Sequence, residues 1–248
     1  MYKIGKNAGK KWMAAVMAAL VTVAAAAGCG KTDKAGAEER KERNSITVAA
    51  SSDTGSMDPA GSIALTYLTY SVSALDELLT FDADGEIDYR AAESYEVNED
   101  STVWTFHLRE EAVWSDGTPV TSADFLNTMT RALDPKSGSG YANYLFPIRN
   151  AEAIYNGEME SGELGVETPD DYTLIFYLEK PCVYFLDLLR LPVYTPSCST
   201  YAKETGSGWD TDPKTSVSNG PFYLAEYVPE QYMTLKKNES YWNADAVS

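Results

Sequence analysis

Residues Trp104–Phe125 read WTFHLREEAVWSDGTPVTSADF, and they spell a strand, a turn and a helix start in close succession. From Thr102 to Arg109 apolar and polar residues alternate, with Trp104, Phe106 and Leu108 on one face and Val103, Thr105, His107 and Arg109 on the other. Such alternation describes a strand with one buried face, and it puts His107 on the less apolar side. Asp116-Gly117-Thr118-Pro119 is a tight turn. Thr121 and Asp124 then have capping-box spacing, the Thr side chain reaching forward to a free N–H. Phe125, Leu126, Met129, Ala132 and Leu133 recur at helical spacing. Asp134-Pro135 stops that helix, because proline cannot continue it and restricts the residue before it.

Elements of both kinds extend outward from this core. Upstream, Ile46, Val48 and Ala50 alternate as in a strand, and Asp58-Pro59 marks a turn. Leu65, Leu68, Val72, Leu75, Leu78 and Leu79 predict a helix over Ile63–Leu79 with one buried stripe, followed by a turn at Asp82, Asp84 and Gly85. Downstream, a Ser/Gly loop covers Lys136–Gly140, and a short helix spans Ala151–Asn156 and ends at Gly157. Tyr172–Leu178 reads as a strand. Pro181 can open a helix with Tyr184, Phe185, Leu188 and Leu189 inward. Ser197–Ser218 is loop-rich, and Phe222–Tyr227 with Tyr232–Lys236 forms a hairpin through Pro229-Glu230. Strands and helices mix without regular alternation, which predicts an α/β, mixed α+β, body.

The N-terminal segment speaks to location. Lys3, Lys6, Lys10 and Lys11 precede an uncharged run from Trp12 to Ala27, which closes on Ala-Ala-Gly-Cys at Cys29. A basic head, a short apolar stretch and small residues form an export signal. A cysteine directly after the small residues resembles a bacterial lipoprotein signal, in which Cys29 is acylated and becomes the new N-terminus. Ala26 departs from that pattern, standing where leucine is commoner. A transmembrane anchor is the alternative, but the run is short and alanine-heavy for a span. Residues 1–28 are thus expected to be a signal peptide. Residues 29–44, the lipidated cysteine and a charged stretch without large apolar residues, are expected to be a flexible tether.

Composition excludes several chemistries. The formal net charge is −17, and the signal segment holds four of the lysines and no acid, so the remainder is more negative still. That charge opposes nucleic-acid binding and a basic membrane-surface patch. One histidine and three cysteines leave no His/Cys metal cluster, and no cofactor signature occurs. Cys182 and Cys198 are candidates for a disulfide in an exported protein, with two small buried thiols as the alternative. A secreted hydrolase using Glu110 and Glu111 is the rival reading. Adjacent residues on a strand point to opposite faces, however, and the chain has 37 acids, so such a pair belongs to a solvated surface. No catalytic residue is assigned.

Eight colinear stretches carry a resemblance. They are Ser56-Met57-Asp58-Pro59, ALDELLTFDADGEI over Ala74–Ile87, AAESYEV over Ala91–Val97, the Trp104–Phe125 stretch, RALDP over Arg131–Pro135, LGVETPDDYTLIFYLEKP over Leu164–Pro181, SNGPFYL over Ser218–Leu224, and KNESYW over Lys237–Trp242. Together they resemble the oligopeptide- and dipeptide-binding family of extracytoplasmic solute-binding proteins, the family 5 type that serves ABC importers. The resemblance implies a two-lobed, type II periplasmic-binding-protein-like architecture. Residues 45–76 and 199–248 would form an incomplete first lobe, residues 77–198 an inserted subdomain, and the second lobe would be missing, since family members are about twice as long. It implies an oligopeptide ligand, ABC permease subunits as partners, a monomer, and a lipid anchor on the outer face of the cytoplasmic membrane. By the family pattern Ile63, Ala64 and Leu65 lie beside the bound peptide backbone, and Tyr141 reaches into the cleft. A peptide receptor feeding a signalling pathway is the alternative role. Asp116 and Asn219, within turns, read as structural.

Overall fold

Phe106 and Phe176 face each other across two neighbouring strands with ring centroids 5.8 Å apart, and the fold is organised around that pair. In the computed structural model, which describes residues 47, 49, 53, 55–61, 70, 71, 73–204 and 207–247, everything discussed below lies within one compact unit, Ala50–Ser248. The expected strand over Ile46–Ala50, the signal segment and the tether fall outside the described residues, apart from Thr47 and Ala49.

The central sheet has four antiparallel strands: β3 (Ala92–Val97), β4 (Val103–Leu108), β5 (Val166–Asp170) and β6 (Thr173–Tyr177), in the order β3-β4-β6-β5. Alternation in β4 is realised as read: Trp104, Phe106 and Leu108 are buried and the residues between them are half-buried. Register pairs Trp104 with Phe176 and Phe106 with Leu174, so apolar side chains meet on one face. Phe185 and Tyr194 complete an aromatic stack, with centroids 5.3 Å from Phe176 to Phe185 and 6.1 Å from Phe185 to Tyr194. Burying each such ring contributes about 1.5–3 kcal/mol.

Helix α1 (Ser122–Leu133) begins and ends where the capping spacing and the proline place it. Its Phe125, Met129 and Leu133 are fully buried. At its start the Asp124 carboxylate accepts the Thr121 N–H at 2.9 Å. The same carboxylate takes the buried Trp114 indole N–H at 3.1 Å and the Ser199 N–H at 2.8 Å. Asp124 thus ties the turn, the helix and a distant loop together. Further on, α2 spans Ala151–Tyr155 and α3 spans Phe185–Leu188.

Two expectations need correction. The predicted helix over Ile63–Leu79 does not run its length. Tyr70, Ser71, Ser73 and Ala74 are helical, but Leu75–Glu77 are not, and Leu79–Phe81 is strand β1, paired with β2 (Ile87–Tyr89) through the Asp82–Glu86 turn. The Asn219 side chain claims both backbone groups of Asp76: Asp76 N–H donates to Asn219 Oδ1 and Asp76 C=O accepts from Asn219 Nδ2, each at 3.0 Å. With those groups taken, the helical ladder cannot pass. The helix after Pro181 likewise starts at Phe185, not at the proline, and Tyr184 is exposed although the stripe places it inward.

The hairpin β7 (Phe222–Val228) and β8 (Tyr232–Lys237) forms as read. Glu230 takes a positive φ of 59° in its turn. A two-stranded hairpin is marginal by itself. This one is held at its base by Asn238, whose side-chain N–H donates to Gly220 C=O at 3.0 Å, and near its tip by Asp53, which accepts the Tyr227 hydroxyl at 2.6 Å.

Candidate functional site

Of the residues expected to bind ligand, Tyr141 is the one that the structure describes. The Ser/Gly loop ahead of it is fixed by local bonds: Ser137 Oγ donates to Ala132 C=O at 3.0 Å, and Gly138 turns at φ +65°. The Tyr141 carbonyl accepts the Tyr144 N–H at 3.0 Å and opens a single 3-10 turn, Ala142–Leu145. The Tyr141 ring lies 5.8 Å from that of Tyr144, tilted by 35°. Tyr141 is half-buried, Tyr144 is 40% exposed, and the Tyr144 carbonyl accepts the buried Tyr194 hydroxyl at 2.9 Å. Backbone and core bonds therefore hold the pair, and the Tyr141 hydroxyl has no hydrogen-bond partner among the described residues. A wall of this kind offers π-faces and a phenol to a ligand lying over it. Ile63, Ala64, Leu65 and Cys29 lie outside the described residues.

The turn leading towards Ile63 is described, and it is unusually well anchored. Asp58 accepts the Ala60 N–H at 3.0 Å and makes a bidentate ion pair with Arg131. Asp58 is 1% and Arg131 8% exposed at the side chain. Arg131 also donates to Ser197 Oγ at 2.7 Å and sits over the Trp209 ring at 5.7 Å. One oxygen of Asp210 accepts Ser56 Oγ at 2.6 Å, Met57 N–H at 2.7 Å and Asp58 N–H at 3.0 Å. A cavity of about 10 Å³ beside this group, lined in part by Met57, Tyr70, Ser197 and Trp209, has room for about one water and none for a peptide.

A second polar cluster lies where residues 74–77 meet the segment after Ser218. Asp76 accepts the Tyr241 hydroxyl at 2.8 Å and the Trp242 indole N–H at 3.0 Å. Arg109 stacks on Trp242 at 4.0 Å and donates to Arg90 C=O at 2.8 Å. Burial pushes the Asp76 carboxyl up, against the two hydrogen bonds that favour its charged form. Burial, reinforced by neighbouring Asp76, takes Glu77 up to about 7. Tyr241 is raised too, first by its burial and then by the Asp76 charge.

Both remaining cysteines are buried and free. The candidate disulfide between Cys182 and Cys198 is therefore not formed in this structure; both residues are buried in the core cluster. Among the described residues no cluster of His, Cys, Asp and Glu could hold a metal. Glu110 and Glu111 are both exposed, and Arg109 lies 3.7 Å from Glu111.

Reading from sequence missed the anchoring residues Arg131, Ser197 and Asp210. A signal for one of them was present. Asp124, Thr128 and Arg131 repeat at helical spacing, and all three are buried. A polar stripe beside the apolar one announces partners elsewhere in the chain.

Comparison with known proteins places this geometry. Residues 86–248 match the family model of bacterial extracellular solute-binding proteins, family 5 Middle. The chain is 35% identical over 93% of its length to the periplasmic oligopeptide-binding protein OppA of Escherichia coli K12, of which it spans 41%. It superposes on the substrate-binding domain of an oligopeptide ABC transporter from Bacillus anthracis with TM-score 0.76 and 37% identity, over 80% of this chain and 38% of that one. The Haemophilus influenzae OppA complex with the peptide RPPGFSPFR superposes at TM-score 0.73 with 33% identity, over 78% of this chain and 38% of that one. The mixed α/β fold is that of a type II periplasmic binding protein over the matched stretch. The chain belongs to the bacterial extracellular solute-binding proteins of family 5.

Proposed function

We propose that this chain is part of an oligopeptide-binding lipoprotein that captures peptides outside the cytoplasmic membrane and hands them to an ABC permease. The observation that carries this reading is its likeness to an oligopeptide-binding protein over 93% of its own length. In this reading Cys29 is acylated after removal of residues 1–28, and residues 29–44 tether the body to the membrane. Residues 45–76 and 199–248 belong to one lobe, and residues 77–198 are inserted into it. Support for that division comes from the Asp76–Asn219–Tyr241 cluster, where the two outer segments bond to each other. Ile63, Ala64 and Leu65 lie along the peptide backbone, and the Tyr141 ring and hydroxyl face the ligand. The chain spans 41% of its relative's length; in this reading the ligand is held between two lobes that close on it, as a monomer.

Calorimetric titration of the protein as its gene encodes it with RPPGFSPFR tests the reading, with the recovered peptide weighed by mass spectrometry. Saturable binding of intact peptide, weakened several-fold by Tyr141→Ala, is expected. Absence of binding, or recovery of cleaved peptide, overturns it. Radiolabelled palmitate incorporated by the wild type and lost in Cys29→Ser tests the anchor.

A further inference from the structure

Two buried N–H groups have no acceptor among the described residues: Arg131 Nε and the Trp209 indole Nε1. The terminal nitrogens of Arg131 are taken by Asp58 and Ser197, but an indole has a single donor, and in Trp209 it is the one left over. A buried donor without an acceptor has lost its hydration and gained nothing in return, and native folds keep few such groups. Trp209 also lines the cavity of about 10 Å³ described above. Tyr70 and Ser216 line it too, and their hydroxyl oxygens lie 3.3 Å apart, close enough to share one proton. Burial pushes Tyr70 up to about 12, so both hydroxyls are neutral. Whichever of them donates, Ser216 Oγ keeps a lone pair. Ser197, a third hydroxyl on the wall, is already engaged by Arg131 and by Thr128, each at 2.7 Å. One small space thus combines an unused donor with an unused acceptor.

We propose that this cavity is the site of one resident water, which accepts the Trp209 indole N–H and donates to Ser216 Oγ. Chemistry excludes the other small occupants. A metal cation cannot accept from an N–H. An anion can, but the Asp210 carboxylate, one residue from Trp209, keeps its negative charge close by: it is held charged by three converging donors, and that charge acts on the Tyr70 hydroxyl at the cavity wall. An organic molecule is too large, since about 10 Å³ is roughly one water-sized sphere. Water alone brings lone pairs and protons together at that size. Held there, it joins the Trp209–Asp210 segment to Ser216, while Asp210 joins the same segment to Ser56, Met57 and Asp58.

The test compares wild type and Trp209→Phe, which keeps an aromatic ring and removes the N–H, in the protein as encoded. Crystals of the wild type, diffracting well enough to show ordered waters, are expected to hold one water within hydrogen-bonding distance of both Trp209 Nε1 and Ser216 Oγ. Crystals of Trp209→Phe are expected to lose it. In solution, water-selective nuclear Overhauser and rotating-frame spectra of isotope-labelled wild type are expected to give the Trp209 indole proton a water cross-peak of opposite sign in the two, the mark of a long-held water rather than of proton exchange. The loss of one indole signal in Trp209→Phe identifies that proton. The Trp104 indole, which donates to Ser101 C=O at 3.2 Å, is the reference and is expected to show no such peak. A protein acceptor on Trp209 Nε1, a wild-type cavity without ordered water, or an anomalous peak there after a bromide soak overturns the proposal. So does a cross-peak that is missing or of equal sign, or a water undiminished in Trp209→Phe. If the variant does not fold, the wild-type crystal decides by itself.

Discussion

Raising the pH from about 4.5 to 7 should destabilise this fold, and Glu77 should be a main reason. Its carboxyl is half-buried beside the buried Asp76, and the Glu77 carbonyl accepts the Ala91 N–H at 3.0 Å. Burial is the larger cause of its raised pKa, and the Asp76 charge adds to it, while Arg90 and Arg190 oppose them. The outcome is about 7 in the fold against 4.5 in an exposed chain. Between those values the folded protein keeps a proton that the unfolded chain has released. Stability is therefore fully present below pH 4.5 and is lost as pH rises through 7, the reverse of the salt-bridged carboxylate case. Each unit is worth up to about 1.4 kcal/mol, so the ceiling is about 3 kcal/mol; solvent reaching the half-buried group reduces it to about 1–2 kcal/mol. Asp76 is raised as well, and the net charge of −17 grows with pH, so both add slopes of the same sign. Glu77→Gln separates these contributions, because they persist in the variant. Urea unfolding followed by far-UV circular dichroism at pH 5, 6 and 7 should show the wild type losing about 1–2 kcal/mol more than Glu77→Gln across the range. Parallel pH profiles for the two proteins would refute the assignment.

Three further outcomes follow from the packing. Arg131→Met leaves the Asp58 carboxylate buried without its cation and should cost about 3–5 kcal/mol in urea unfolding, much of it recovered by Asp58→Asn in the same chain. Gly220→Ala would bring a Cβ within 2.7 Å of the Ala74 carbonyl carbon and 2.8 Å of Leu75 N; neither is a side chain that can turn aside, so thermal unfolding should report a loss of about 2–3 kcal/mol. Cys182 and Cys198, both buried and with the Cys198 thiol pushed up by burial, should resist a thiol reagent until urea unfolds the protein and should show no internal bridge on a non-reducing gel.

What was legible in the sequence was what neighbours in the chain decide. The β4 alternation, the Thr121 and Asp134 boundaries of α1 and the β7–β8 hairpin each depend on spacing within about ten residues, and spacing survives folding. The Ile63–Leu79 helix failed for the opposite reason. Among the described residues of its stripe, Leu75, Leu78 and Leu79 are all buried, but burial alone does not distinguish a helix from a bend followed by a strand. The side chain of Asn219, 143 residues away, decided between them. Likewise Tyr184 has helical spacing with Phe185 and Leu188 but precedes the helix, so its ring points outward. Tyr141 is half-buried beside the exposed Tyr144; of the residues that anchor the Ser56–Gly61 turn, only Arg131 carried a local signal, while Ser197 and Asp210 are common polar types whose partners lie far along the chain.

Those distant partners share a chemistry. Asp58 reaches Arg131 across 73 residues, Asp124 reaches Ser199 across 75, Asp210 reaches Met57 across 153 and Asp76 reaches Tyr241 across 165. In each case a carboxylate that is nearly or wholly inaccessible receives aimed donors. Apolar burial supplies most of the drive to fold, but it is non-directional and would tolerate these segments shifted by a residue or rotated in place. A carboxylate displaced from its donors forfeits far more than a methyl group does, because its charge stays behind in a poorly solvated place. The acids therefore select one arrangement among the many that would bury the same leucines and phenylalanines.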